Sequence, residues 1–399
     1  MKYAVLVYDG AADEKIPQLG GKTPYEAAVK PVLDGLAAHA LTGTVSNVPQ
    51  GMVPESDTAN LAIMSYAPKQ YSHGRSPLEA VSMGLTMEPD QIAFRCNVVT
   101  VSEDDVPYEE KTMLDHSADE ITTAEAAELI HAVQDAFGDC EKTFYPGISY
   151  RHCLLWHEPP AYGEFTRPHD ILGRKIGEYL PKEPYLSLYK KSYELLRDHP
   201  VNVSRRARGL KPANSIWLWS PGAKPALPSF AEKWGLKGAV ISAVDLIKGI
   251  GLCAGMTSID VEGATGNVNT NYRGKADAAI RAFRDGYDFV YIHVEAPDEC
   301  GHRQETENKV LSIERMDAEL LKPVLEWLEA SGEPFRIMAL PDHPTPVRLR
   351  THTIDPVPFM IYMSDEPHDG VKCFCEDACA AKDFYVPHGE ELLSYMIKK

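Results

Sequence analysis

Residues 289–302 read FVYIHVEAPDECGH. The first six are Val, Ile and aromatics around one histidine, the pattern of a strand buried on both faces of a parallel sheet. Asp298 and His302 follow within one short segment. The same arrangement recurs along the chain. VLVYDGAAD leaves Asp9 after an apolar first strand, MALPDHPTP leaves Asp342 and His343 after another, and RTHTIDPVP supplies His352 shortly afterwards. Ser56 stands in VPESDTAN. In open α/β sheets, ligands bind beyond the carboxyl ends of the strands. These residues, hundreds of positions apart, are therefore expected in one place. Three carboxylates, three imidazoles and a hydroxyl suffice for two divalent ions with a serine between them.

Working outward, strand and helix signals alternate through the C-terminal half. Strands are expected at 215–219, 239–244, 336–340 and 357–363, and helices at 275–284 and 308–329. That alternation predicts an α/β core, a mostly parallel sheet between helices. Between 92 and 205 the signals are less regular: an acidic loop (SEDDVPYEEK), a helix at 123–136 and a proline-rich passage at 159–184. The expected organisation is a discontinuous core, 1–91 and 206–399, carrying an inserted α+β cap at 92–205. The competing organisation, one large domain with very long loops, runs against the usual shortness of loops.

Composition narrows the function classes. With a formal net charge of −18 over 399 residues, the surface repels nucleic acid and anionic lipid. The opening MKYAVLVYDG is too short an apolar run for a signal sequence or membrane span, so a cytoplasmic protein is expected. The eight cysteines then read as reduced thiols, and Cys373, Cys375 and Cys379 in CFCEDAC match no recognised zinc spacing. Oligomeric state is not readable.

The segment 58–65, TANLAIMS, has a helical pattern, which puts Ser56 at a helix N-terminus where backbone N–H groups favour phosphate. Alone, Ser56 reads as a helix cap. Beside metal ligands it reads as a nucleophile, because coordination makes the alkoxide accessible. The mixed Asp and His set, without thiolate, suits Mn²⁺ or Zn²⁺ better than Mg²⁺. An anionic substrate also needs cations. Arg75 in HGRSPLEA, Arg95 in AFRCN and Arg151 in SYRHC are the candidates, with Asn97, His152 and the His169–Asp170 pair beside them. Surface ion pairing is the plainer reading of each.

These segments, together with GRSPLEA, IAFRCN, GISYRHCL, RPHDI and KGAVISAVDLIKGIGLCAG, resemble the archaeal-type cofactor-independent phosphoglycerate mutases of the alkaline phosphatase superfamily over nearly the whole chain. The resemblance implies two metal sites, Asp9, Ser56, Asp342 and His343 in one, Asp298, His302 and His352 in the other. It implies a phosphoserine at Ser56, interconversion of 3- and 2-phosphoglycerate in glycolysis and gluconeogenesis, Mn²⁺ as the metal, no 2,3-bisphosphoglycerate, and a cap that closes on the substrate. Two departures from the family pattern stand beside the ligands: Glu55 in PESDT where relatives read PGSDT, and PDHPTP where they read ADHSTP. A homoserine kinase-like phosphotransferase on the same core is the first alternative. A non-catalytic metal-binding protein is a remoter one.

Overall fold

A computed structural model describes residues 1–397 of the chain. Two compact units emerge, Met1–Ser72 with Ala226–Lys399, and His73–Pro225.

The first unit is built on strand β1 (Lys2–Tyr8), a continuous apolar and aromatic run that is buried from Tyr3 onward. It pairs in parallel with β10 (Phe289–Val294) on one side and β11 (Phe335–Leu340) on the other. Outward from β10 come β8 (Gly238–Ile241) and β9 (Thr257–Ser258), also parallel. Outward from β11 comes β12 (Val357–Met363), antiparallel to it, then β2 (Leu41–Val45), antiparallel to β12, and β13 (Tyr385–Val386), parallel to β2. The result is an eight-stranded, mostly parallel sheet. Both β10 and β11 are buried at every residue, as strands covered on both faces must be. Ala276, Ala279 and Phe283 of the helix Tyr272–Arg284 pack on the sheet with Leu320, Val324 and Leu328. The helix expected at 308–329 is Thr306–Arg315 and Lys322–Ser331 joined by a π-helical turn, Met316–Leu321. Pro323 cannot donate to the carbonyl four residues back, and the wider turn lies directly before it.

The second unit holds a five-stranded sheet. Its long strand β3 (Gln91–Val101) pairs antiparallel with β6 (Arg151–His157), β7 (Ser215–Ala223) and β4 (Met113–Asp115), and β5 (Lys142–Tyr145) flanks β6. This unit reaches further at both ends than the 92–205 expected for the insertion. The strand expected at 215–219 is β7, which joins β3 rather than the large sheet, and the helix Ser76–Ser82 packs against both. The helices Thr123–Phe137 and Tyr185–Leu196 complete its core.

Candidate active site

Every carboxylate and imidazole expected as a ligand lies in the first unit, at or beyond the carboxyl ends of β1, β10 and β11. Asp9 follows β1 directly. Gly10, at φ +62°, turns the chain there, and a Cβ in its place would stand 2.5 Å from Thr345 Oγ1 and 2.6 Å from Asp298 Oδ1. Only glycine permits so close an approach of the loop to a ligand. Asp298 and His302 sit one helical turn apart on Ala296–Arg303, so their side chains share a face.

The expected ligands fall into two groups. His343 Nε2 lies 3.5 Å from Asp342 Oδ2, 3.7 Å from Asp9 Oδ1 and 3.3 Å from Ser56 Oγ. Asp298 spans the second group, with Oδ2 3.2 Å from His302 Nε2 and Oδ1 3.3 Å from His352 Nε2. The two imidazole Nε2 atoms are 3.0 Å apart. The His343 and His352 rings stack at 3.9 Å, which holds the groups side by side. Ser56 opens the helix Ser56–Ile63, as a phosphate acceptor should. Glu55, the departure next to it, has extended backbone (φ −108°) that any residue adopts, so the family's glycine is not required there.

Several of these side chains are held from behind. Asn60 donates to Asp342 Oδ2 (2.9 Å) and to the Ser56 carbonyl (2.8 Å), and Tyr291 donates to Asn60. Gly10 N–H donates to Asp342 Oδ1. Thr345 Oγ1 donates to Asp298 Oδ1, and its carbonyl accepts from the buried Lys309, which also pairs with Asp13 at 2.7 Å. His302 and His352 direct Nδ1 at the carbonyls of Arg350 and Pro54, which leaves both Nε2 atoms facing Asp298.

The electrostatics suit divalent ions. Asp9, Asp298 and Asp342 are at most 6% exposed, so three carboxylates share a nearly dry site. Burial, then Asp342 and Asp298, push the Asp9 carboxyl well above its usual range, and its Oδ1 meets no hydrogen-bond partner. Burial also disfavours ionised Asp298, but hydrogen bonds from His302 and His352 outweigh it and hold that carboxyl well below the usual range. An orphaned buried carboxylate oxygen among like charges is what a cation corrects. The donor set and this oxygen therefore fit two divalent ions.

His302 is the proton reservoir of the metal-free state. Its hydrogen bond to Asp298 raises the imidazole to about 9. A pKa raised on folding stabilises the fold below the unfolded value near 6.5, and that contribution is lost as pH rises through about 9. A divalent ion in this group must displace the proton. Calorimetric titration of Mn²⁺ into metal-free protein at pH 7.5, in buffers of different ionisation enthalpy, is expected to show release of about one proton or more. The release should shrink as pH passes 9, and a value near zero would contradict this ligand group.

In the second unit, Arg95 Nε lies 3.0 Å and Arg75 Nε 3.9 Å from Glu79, the one carboxylate between them. Arg95 lies 4.4 Å over the Trp219 ring. Burial lowers the Arg95 pKa, Glu79 opposes that shift, and Arg75 and Arg151 add to it; three guanidinium groups near one carboxylate leave a net positive charge. The His169 ring meets Trp219 edge-on, and Asp170 pairs with His169 at 3.6 Å. Of the other expected residues, Asn97 lies on the face of these arginines and His152 does not. In the β3–β6 register Asn97 faces Arg151 while His152 faces Cys96, so strand alternation puts His152 on the opposite face from Arg95 and Arg151. His152 is buried there, and burial pushes it down to about 3. Asn97 shares the face, where its amide accepts from Trp219 Nε1 and donates to the His116 carbonyl, with one N–H left over. Glu79, Trp219, Asn60 and Thr345 escaped the sequence reading because nothing in a single sequence marks a side chain that acts through another.

The chain matches the family profile described as 2,3-bisphosphoglycerate-independent phosphoglycerate mutase over residues 37–202. It is 45% identical over 404 aligned residues to the 2,3-bisphosphoglycerate-independent phosphoglycerate mutase of Methanosarcina barkeri, covering 100% of both chains. The probable enzyme of that name from Geobacter sulfurreducens is 44% identical, again over 100% of both. Among solved structures, a Pyrococcus horikoshii protein superposes with a TM-score of 0.81 at 28% identity, covering 99% of this chain and 96% of that one. The cofactor-independent phosphoglycerate mutase of Thermoplasma acidophilum gives 0.67 at 25% identity, covering 100% and 99%.

Proposed function

The chain belongs to the 2,3-bisphosphoglycerate-independent phosphoglycerate mutase family, and on that premise we propose that it interconverts 3-phosphoglycerate and 2-phosphoglycerate through a phosphoserine at Ser56. The observation that carries the mechanism is Ser56 Oγ at a helix start, 3.3 Å from His343 Nε2 and among buried carboxylates.

Asp9, Ser56, Asp342 and His343 would hold one divalent ion, and Asp298, His302 and His352 the other. When bound, the ions supply Lewis acidity that makes the serine alkoxide accessible and offsets phosphoryl charge. Mn²⁺ is the reading that a mixed Asp, His and hydroxyl set favours. Ser56 Oγ attacks phosphorus, the phosphate ester bond to glycerate breaks, and the glycerate hydroxyl takes a proton. After glycerate turns, its other hydroxyl attacks the phosphoserine and Ser56 is regenerated. Backbone N–H groups at the start of Ser56–Ile63 favour the phosphate on Ser56. A glycerate carboxylate needs bidentate donors, and Arg75, Arg95 and Arg151 are the candidates for that role. Water must be kept from the phosphoserine, or the outcome is hydrolysis. Free thiols support action in a reducing compartment, the cytoplasm.

Incubating Mn²⁺-loaded protein with 3-phosphoglycerate and following 2-phosphoglycerate through enolase tests this directly. Turnover without added 2,3-bisphosphoglycerate is expected. No turnover, alongside nucleotide-dependent phosphorylation of homoserine, would assign the chain to the transferases instead.

A further inference from the structure

His293 interrupts an otherwise apolar strand and is fully buried. Its position explains why. β8, β10 and β1 are neighbours in the sheet, and Ser242 (just after β8), His293 (in β10) and Asp9 (just after β1) lie in a row across their carboxyl ends. Ser242 Oγ accepts the Val244 N–H at 2.9 Å and lies 3.3 Å from His293 Nδ1. His293 Nε2 lies 3.0 Å from Asp9 Oδ2, out of line for a hydrogen bond, and no other acceptor among the described residues is aligned with it. The buried Lys275 donates to the His293 carbonyl at 2.7 Å and pins the strand beneath.

We infer that Ser242 and His293 are a positioning pair that fixes Asp9 as a one-oxygen metal ligand, an inference that rests on the metal reading above. A carboxylate oxygen 3.0 Å from Nε2 calls for the ring proton on that nitrogen, so Nδ1 accepts the Ser242 hydroxyl proton. Oδ2 is the oxygen beside the imidazole, so Oδ1, the orphaned oxygen on the His343 side, is the one left for an ion. An imidazole behind a ligating carboxylate sets both its orientation and its charge density, and losing such a partner usually costs about 10–100-fold in metal affinity.

Equilibrium dialysis of Mn²⁺ against full-length protein reads this without any assay of turnover. His293→Leu is expected to weaken one of the two sites by about 10–100-fold. His293→Gln restores an N–H donor near the Nε2 position and should recover most of that loss, which simple repacking would not achieve. Should His293→Leu fail to fold, Ser242→Ala, a minimal change, is expected to weaken the same site by about threefold or more. Wild-type affinity in the His293→Leu or Ser242→Ala variant, or His293→Gln as weak as His293→Leu, overturns the pair. Asp9→Asn separates the two readings. If it too binds as wild type, the metal assignment to Asp9 fails and the inference with it.

Discussion

Ser56→Ala lowers mutase turnover by about 10,000-fold or more, or about 5 kcal/mol of barrier, while leaving the protein folded and metal-loaded. Loss of a nucleophile removes the covalent step outright, and the remaining groups can only bind and polarise. Asp9, Asp342 and His343 stay in place, and Asn60 still holds Asp342 Oδ2. The helix survives because its contact through Ser56 is made by a carbonyl that alanine also has. Turnover is read by the enolase-coupled assay, and trapped phosphoenzyme by intact mass after brief exposure to 3-phosphoglycerate. A variant that keeps wild-type activity, or still shows the added phosphate, would end the phosphoserine mechanism.

Asp298→Ala should bind one Mn²⁺ per chain in place of two, and turnover should fall by about a thousandfold or more. Asp298 pairs with both His302 and His352, whose Nε2 atoms lie 3.0 Å apart. Without it, His302 loses the cause of its raised pKa, and the proton release expected on metal binding falls with it. Elemental analysis counts the metal. Thermal denaturation gives an independent reading, since saturation at about 100 times Kd stabilises by about 2.7 kcal/mol per site and this variant forfeits one such increment. Unchanged metal content would remove Asp298 from the ligand set.

The legible part of this site is the part that sequence chemistry marks. Asp9, Asp298 and Asp342 stand beside the ends of apolar runs, where a carboxylate has no packing role, and the strand signal says which end of the sheet they share. His293 carries no such mark: an imidazole inside FVYIHV looks the same whether it is a satisfied core residue or the support of a ligand. Which sheet a strand joins was equally hidden. The run at 215–219 has strand character, but its pairing with Gln91–Val101 depends on a partner more than a hundred residues away. His152 shows the same limit at the scale of one residue. Alternation fixes that Arg151 and His152 point oppositely, yet only the register against Cys96 and Asn97 says which of them shares a face with Arg95.

Among the described residues, β1 precedes every other strand in sequence, and it lies in the middle of its sheet. Its partners Phe289–Val294 and Phe335–Leu340 arrive roughly 290 and 330 residues later, which at ribosomal speed is on the order of 15–60 s. For that time KYAVLVY is an apolar segment with both hydrogen-bonding edges open, the kind that seeds aggregation. The unit His73–Pro225, continuous in the chain, can be made and folded meanwhile. Yield of this protein in a foreign host should therefore depend on chaperone supply to nascent chains and on growth temperature more steeply than on the stability of the finished enzyme.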